Sequence, residues 1–350
     1  MRAFPRWTGW VVAGILLLAP AACAVANPPS APVPGSSRSL RTVVPAKPKA
    51  TTAVVQPSPK VRAVESPFSP MKQESTVRRS APTKPKAAVP APDHIVVVIF
   101  ENKHRTSVMG SGQAPYLDKL AAKGASMTHS YGVTHPSQPN YLALFSGSTQ
   151  GVSGNGCPVH FRKANNLGHQ LRKSGRSFVG YAESLPRTGF RGCASGRYLR
   201  KHNPWVNFGT LPGSTNRPFS DFPRDYHKLP TVSFVSPNMC HDMHDCSIRT
   251  GDRWMKKHFD RYARWAHRHN SLLIVTFDEN AGGSVKSIPT IIIGANVRPG
   301  VYAERLNHYS LLRTIEATHG LPSLGHAKAA SPVSTIWKSS PIPRKGRKHR

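Results

Sequence analysis

His94-Ile95-Val96-Val97-Val98-Ile99-Phe100-Glu101-Asn102 is the stretch on which the fold turns. A continuous, largely β-branched apolar run is the pattern of a strand buried on both faces in a parallel sheet; a half-exposed strand would alternate. Polar Glu101-Asn102-Lys103 ends it. Similar runs recur at residues 231–235, 272–277 and 288–293, and amphipathic stretches at 116–123, 141–145, 252–269 and 310–319 fall between or after them. Strands alternating with helices predict an α/β fold with a mostly parallel central sheet flanked by helices. The chain shows no internal repeat and no glycine-rich phosphate loop of the familiar kinds.

Outward from this core the composition changes. The 350 residues carry 48 Lys+Arg against 16 Asp+Glu, a formal charge of +32, with 33 prolines and 38% hydrophobic residues. These values fit one enzyme-sized domain, residues 94–338, with unfolded tails. Residues 27–93 are a Pro/Lys/Arg-rich stretch, typified by Pro57-Ser58-Pro59-Lys60 and Pro82-Thr83-Lys84-Pro85-Lys86, whose proline density excludes helix and paired strand and predicts a disordered linker. Residues 339–350 form a second basic tail. The tails suit an anionic wall polymer or membrane surface, but net charge does not bear on the fold.

Residues 1–26 read as a signal peptide: Arg2 and Arg6 precede an apolar run at 10–19 too short for an ordinary bilayer anchor, and Ala24-Val25-Ala26 suits cleavage after Ala26. The alternative is a lipoprotein modified at Cys23, although Pro20 stands where a lipobox usually has Leu. Either route predicts a secreted or wall-associated protein in an oxidising compartment, where Cys157, Cys193, Cys240 and Cys246 can pair. Three connectivities are possible; the most local joins Cys157 to Cys193 and Cys240 to Cys246.

Ligands of such sheets gather beyond the carboxyl ends of the strands. There the first run supplies Glu101-Asn102 and the third Asp278-Glu279-Asn280, hard oxygen donors that repel one another unless a cation or proton lies between them. A divalent metal is the economical expectation; a helix cap or a salt bridge to Lys/Arg is the alternative for either pair. Ser137, two residues before Pro139 at a helix start, places a hydroxyl near unpaired backbone N–H groups at the positive end of a helix dipole. Such a hydroxyl suits a nucleophile, or simply an N-cap. Residues 237–246 hold Cys240, His241, Asp242, His244, Asp245 and Cys246, whose spacing fits no ordinary zinc module; Asp242 and His244 read as ligands or substrate contacts. His202 and His308 sit beside expected element boundaries, where surface and packing roles compete with function.

Taken in order, Glu101-Asn102, Ser137-Gln138-Pro139-Asn140-Tyr141, Lys201-His202-Asn203-Pro204-Trp205, Asp242-Met243-His244-Asp245, Thr276-Phe277-Asp278-Glu279 and Asn307-His308-Tyr309-Ser310 resemble the bacterial phosphoesterase family. That family includes acid phosphatases and phospholipases C and belongs to the alkaline phosphatase superfamily. The resemblance covers residues 94–337. It implies a metal-dependent phosphoric ester hydrolase with Ser137 as nucleophile and Glu101, Asn102, Asp278 and Glu279 as principal metal ligands. It further implies a second metal position or phosphate contacts at Asp242, His244 and His308, and phosphate contact by His202; Lys103 and Asn140 complete the expected substrate-binding set. Two-metal relatives have Asp at the first strand end and Asp-His at the third, a pattern from which this chain departs. The activity implied is phosphomonoester hydrolysis through a phosphoserine. A phospholipase C-type phosphodiesterase is the alternative within the same chemistry, with Phe190, Trp205 and Phe208 as candidates for an apolar rim. An inactive polyanion-binding cell-wall protein is the alternative outside it.

Overall fold

The computed structural model describes residues 89–284 and 286–338. The expected signal peptide, nearly all of the linker and the C-terminal basic tail lie outside the described residues. The strands are β1 (His94–Phe100), β2 (Ala125–Met127), β3 (Ser130–Tyr131), β4 (Phe178–Ala182), β5 (Ala194–Ser195), β6 (Tyr198–Leu199), β7 (Asn216–Pro218), β8 (Val232–Ser236), β9 (Ser271–Phe277), β10 (Thr290–Gly294), β11 (Gly300–Tyr302) and β12 (Leu306–Asn307). The α-helices are α1 (Arg105–Val108), α2 (Pro115–Lys123), α3 (Ser137–Ser146), α4 (Leu167–Lys173), α5 (Ile248–Ala266) and α6 (His308–His319).

Eight strands form the central sheet in the order β11-β2-β10-β9-β1-β8-β4-β7, with β1 at its heart, parallel to both β8 and β9. Pleating sends alternate β1 side chains to opposite faces. Ile95, Val97 and Ile99 join a core with Tyr141 and Phe145 of α3, Leu167 of α4 and Leu311 and Ile315 of α6. Val96, Val98 and Phe100 join a second core with Leu117 of α2 and Trp254, Phe259 and Tyr262 of α5. Helices on both faces explain the unbroken apolar run: each of these residues is removed from water, worth roughly 1.5–3 kcal/mol per large aliphatic or aromatic side chain.

The run at 288–293 becomes β10, which pairs antiparallel to β9 and β2; the sheet is therefore mixed, with most pairings parallel. Its apolar composition reports burial on two faces and carries no information on direction. β4 is absent from the expected runs because Gly180 interrupts its short apolar pattern. The glycine is required by packing, since a Cβ there would lie 2.1 Å from the Trp205 ring. Residues 89–93, assigned to the linker from composition, are held to the domain: Asn270 Nδ2 donates to Ala91 O (2.9 Å), and Asp93 N donates to Asn270 O (2.6 Å).

Helix ends follow local chemistry. Ser247 caps α5 by accepting from Thr250 N, and Asn307 caps α6 by accepting from Tyr309 N and Ser310 N. Gly147 ends α3 at φ 70°, where a side chain would also strike Leu324 O. Asp252 of α5 accepts from the Tyr116 and Leu117 N–H groups, satisfying the first turn of α2 from a neighbouring helix.

Candidate active site

Register assembles the site. Phe100 pairs with Phe277 across the parallel β1/β9 ladder, so the residues that follow, Glu101 and Asp278, leave the sheet side by side. Asp278 N donates to Phe100 O (3.0 Å), and Asn102 N donates to Asp278 Oδ1 (2.9 Å). Asn102 takes φ 51°, a left-handed conformation that Asn tolerates better than most residues. Ligand atoms of Glu101, Asp278 and Glu279 all lie within 4.8 Å of one another, and all three side chains are buried.

Three buried carboxylates at this spacing cannot all be charged without a counter-ion. His202 lies between two acids, with Nε2 2.5 Å from Glu101 Oε1 and Nδ1 3.3 Å from Asp242 Oδ2, and stacks on Tyr141. Burial opposes its charge, but the Glu101 and Asp242 carboxylates outweigh burial and raise its pKa to about 9. Burial likewise opposes ionisation of Glu101, and the His202 imidazolium, with help from Lys201, reverses this and holds it at about 2. Asp278 is pushed well up by burial and by the Glu101 and Glu279 charges. Glu279 is raised by burial, against the attraction of His135. Glu101 Oε2 and Asp278 Oδ2 are buried without a hydrogen-bond partner. A buried, oxygen-only donor set with unfilled lone pairs fits a hard divalent cation.

α3 starts at Ser137, with Pro136 in the cap position, and the Ser137 hydroxyl caps nothing. It donates instead to Glu279 Oε1 at 3.2 Å. The turn entering the helix is held by Asn140, whose Oδ1 accepts from Val133 N (2.8 Å) and Thr134 N (3.2 Å) while Nδ2 donates to Thr134 O and Pro136 O. Asn140, expected to bind substrate, is thus occupied in shaping the loop that presents Ser137. Gln138 N donates to Asn155 Oδ1.

The remaining expected residues fall around this centre. Half-buried Lys103 donates from Nζ to Asn102 O (3.2 Å); burial lowers its pKa against the pull of Glu101, Asp242 and Asp278. His308 Nε2 donates to the Asp278 carbonyl at 2.5 Å, which leaves Nδ1 as a bare, buried acceptor with no partner; burial lowers this histidine to about 4. His244 is not among the grouped ligands Glu101, Asp278 and Glu279: its Nδ1 is 2.7 Å from Asp245 Oδ1 at a partly exposed position, and its backbone N–H reaches Asp242. Cys157 pairs with Cys193 and Cys240 with Cys246, so thiolates are not available for zinc. Trp205 and Phe208 are buried and Phe190 is half-buried, so they do not build an exposed apolar rim.

Two functional neighbours escaped sequence reasoning. His135 Nδ1 lies 2.6 Å from Glu279 Oε2, opposite the oxygen that receives the serine hydroxyl. Its only signal was a position two residues before Ser137, inconspicuous in a chain with 17 histidines. Glu183, just after β4, accepts from Asn238 N (3.0 Å) and Trp254 Nε1 (2.9 Å) and lies 2.9 Å from His241 Nδ1, fastening the 237–246 loop to α5. Nothing local marked it, because its partners are 55 or more residues away.

Residues 99–322 match the Phosphoesterase family. A phosphatidylinositol-3-phosphatase of Mycobacterium tuberculosis is 48% identical over 253 residues, covering 72% of this chain and 85% of that protein. A phosphate-repressible acid phosphatase of Penicillium chrysogenum is 31% identical over 231 residues, 60% of this chain and 55% of the fungal protein. Among solved structures, a Vibrio parahaemolyticus protein in the alkaline phosphatase superfamily superposes with a TM-score of 0.48 at 15% identity, covering 71% of this chain and 72% of that chain. The family match runs from the end of β1 past the end of α6 and so takes in every acidic residue of the centre together with Ser137; the chain belongs to the phosphoesterase family and is a phosphoric ester hydrolase.

Proposed function

We propose that the chain is an exported, metal-dependent phosphomonoesterase that works through a phosphoserine at Ser137. The observation that carries this reading is the Ser137 hydroxyl at the start of α3, donating to Glu279 beside the buried Glu101 and Asp278 carboxylates. Phosphatidylinositol 3-phosphate, named by the 48% identical relative, is the first lipid substrate to try.

Glu101, Asp278 and Glu279 would hold the cation, with Asp242 and the bare Nδ1 of His308 nearby. When bound, a divalent ion offsets the carboxylate charge and polarises a phosphoryl oxygen. The chain's own residues do the rest. Glu279 accepts the hydrogen bond of Ser137 and is placed to take its proton as Oγ forms a bond to phosphorus and the ester oxygen leaves, collecting a proton from water. His135 orients Glu279 from the solvent side. The positive end of the α3 dipole favours the anionic phosphoryl group, although Gln138 N already donates to Asn155 Oδ1 and Pro139 has no N–H. His202 fixes Glu101 and Asp242, and with both ring nitrogens engaged by their carboxylates it has no N–H left for the phosphate. Water then attacks the phosphoserine and regenerates Ser137.

Export is supported by the composition of residues 1–26 and by the two disulfides. The test is hydrolysis of a chromogenic phosphomonoester and its diester counterpart, with and without chelator, beside Ser137→Ala. Monoester turnover lost to both treatments supports the proposal. Retained activity in Ser137→Ala overturns the nucleophile, and diester preference replaces the phosphomonoesterase with a phospholipase C-type enzyme.

A further inference from the structure

A cavity of about 300 Å³ opens beside His135, two residues before Ser137. Its wall runs along Tyr131, Thr134 and His135, and across from these lie Asn280, Lys286 and Arg305. Through Tyr131, Gly132, Val133 and Arg305 it continues into a larger space of about 630 Å³ that reaches Tyr309 and His326. The groove begins at the chemistry, because His135 is bound to Glu279, the acceptor of the Ser137 hydrogen bond.

Among the described residues, no carboxylate lines either part of the groove. Lys286 and Arg305 are exposed, and among the described residues neither forms an ion pair or a hydrogen bond. Their charge is therefore not consumed by the site carboxylates. The Arg305 guanidinium sits over the Tyr131 ring, 4.5 Å from its centroid, which limits its freedom before any ligand arrives. A stacked guanidinium with unused N–H groups is a preorganised receptor for a phosphate-like anion. The smaller space is on the scale of a small-molecule site.

We propose that Arg305 and Lys286 form a second anion subsite, so that the preferred substrates are phosphomonoesters of a small polyol carrying a second anionic group. The proposal rests on the phosphomonoesterase reading of the same site. The scissile phosphate faces the carboxylate centre and Ser137, the polyol lies past His135, and the second anion meets Arg305 and Lys286. That anion has the same chemistry whether it is a soluble phosphate or the phosphodiester of a lipid headgroup.

The test uses the full secreted chain with added divalent metal. Binding of inositol 1,3-bisphosphate and inositol 3-phosphate to Ser137→Ala is measured by calorimetry, and turnover of the same pair is measured with the unsubstituted protein. The bisphosphate should bind about tenfold more tightly, the scale of one charge-assisted hydrogen bond. Arg305→Ala with Lys286→Ala should abolish that preference and change monophosphate binding less than twofold. Arg264→Ala with Arg268→Ala, which removes the same charge from a separate cavity beside Trp265, should leave the preference intact. Equal binding of the two ligands, or an equal loss in both double variants, overturns the subsite. If the preference appears only on vesicles containing phosphatidylinositol 3-phosphate and not with the soluble pair, the subsite is also overturned; if it appears with both, a lipid phosphodiester serves as the second anion. A calorimetric preference without turnover of either ligand keeps the subsite and defeats the phosphomonoesterase reading.

Discussion

Ser137 Oγ donates a hydrogen bond to Glu279 Oε1 at 3.2 Å, while His135 holds the other oxygen of the same carboxylate at 2.6 Å. One side chain thus links the start of α3 to the end of β9, and the hydroxyl faces an acceptor whose second oxygen is already anchored.

Glu279→Gln keeps the shape of that side chain and removes its basicity. Turnover of a phosphomonoester at saturating metal should fall about 10²–10⁴-fold, the range of a general base. Thermal unfolding should change little. A rate within fivefold of the parent at saturating metal would leave Glu279 without a role in proton transfer.

His202→Ala removes the cation between Glu101 and Asp242, leaving buried carboxylates uncompensated. Loss of one partner from a buried ion pair costs about 3–5 kcal/mol. The metal-free variant should therefore unfold at markedly lower urea than the metal-free parent, and added divalent cation should recover part of the loss. An unchanged midpoint would mean that His202 does not carry the compensating charge.

Glu316 in α6 is fully buried and its Oε1 accepts from Leu324 N. Burial raises its pKa from 4.5 to about 7, against the Leu324 hydrogen bond and Arg313. The native carboxyl keeps a proton that the unfolded chain has already lost, so unfolding releases a proton between these values. Stability from this residue is full below pH 4.5, declines as pH rises toward 7 and is flat above, a change of roughly 3 kcal/mol at most. Glu316→Gln should retain the Leu324 bond and flatten that part of the stability profile, measured by urea unfolding across the window. An unaltered slope would place the titration elsewhere.

Gly180→Ala should destabilise by about 1–3 kcal/mol, the usual range for overpacking, because the new methyl meets the Trp205 ring. Trp205 is fixed in place by its indole N–H bond to Asn216 Oδ1 (2.8 Å). Denaturant unfolding provides the check, and a neutral result would show that the ring can move.

The legible parts of this protein were those with local causes. The 94–100 run announced a strand covered on both faces, and Glu101 and Asp278 were recognisable because polar residues ending buried strands of an α/β sheet lie where ligands collect. The helix at Ser137 was marked by its proline, although the hydroxyl proved to be a donor to Glu279 and not a cap. His202 was noticed beside an element boundary, but its burial between two acids could not be read locally, since Glu101 follows β1 and Asp242 lies in the loop after β8.

By itself the sequence determined which segments are buried, where they end and which of them bring acids to the strand ends, because side-chain periodicity and composition act over a few residues. Tertiary structure alone decided that β10 runs antiparallel, that β4 with its glycine belongs in the sheet, that His135 and His308 flank the acidic centre, and that Arg305 and Lys286 share a groove with His135. These facts depend on register and on which separate segments the crossovers bring together, for which no short stretch of chain carries a signature.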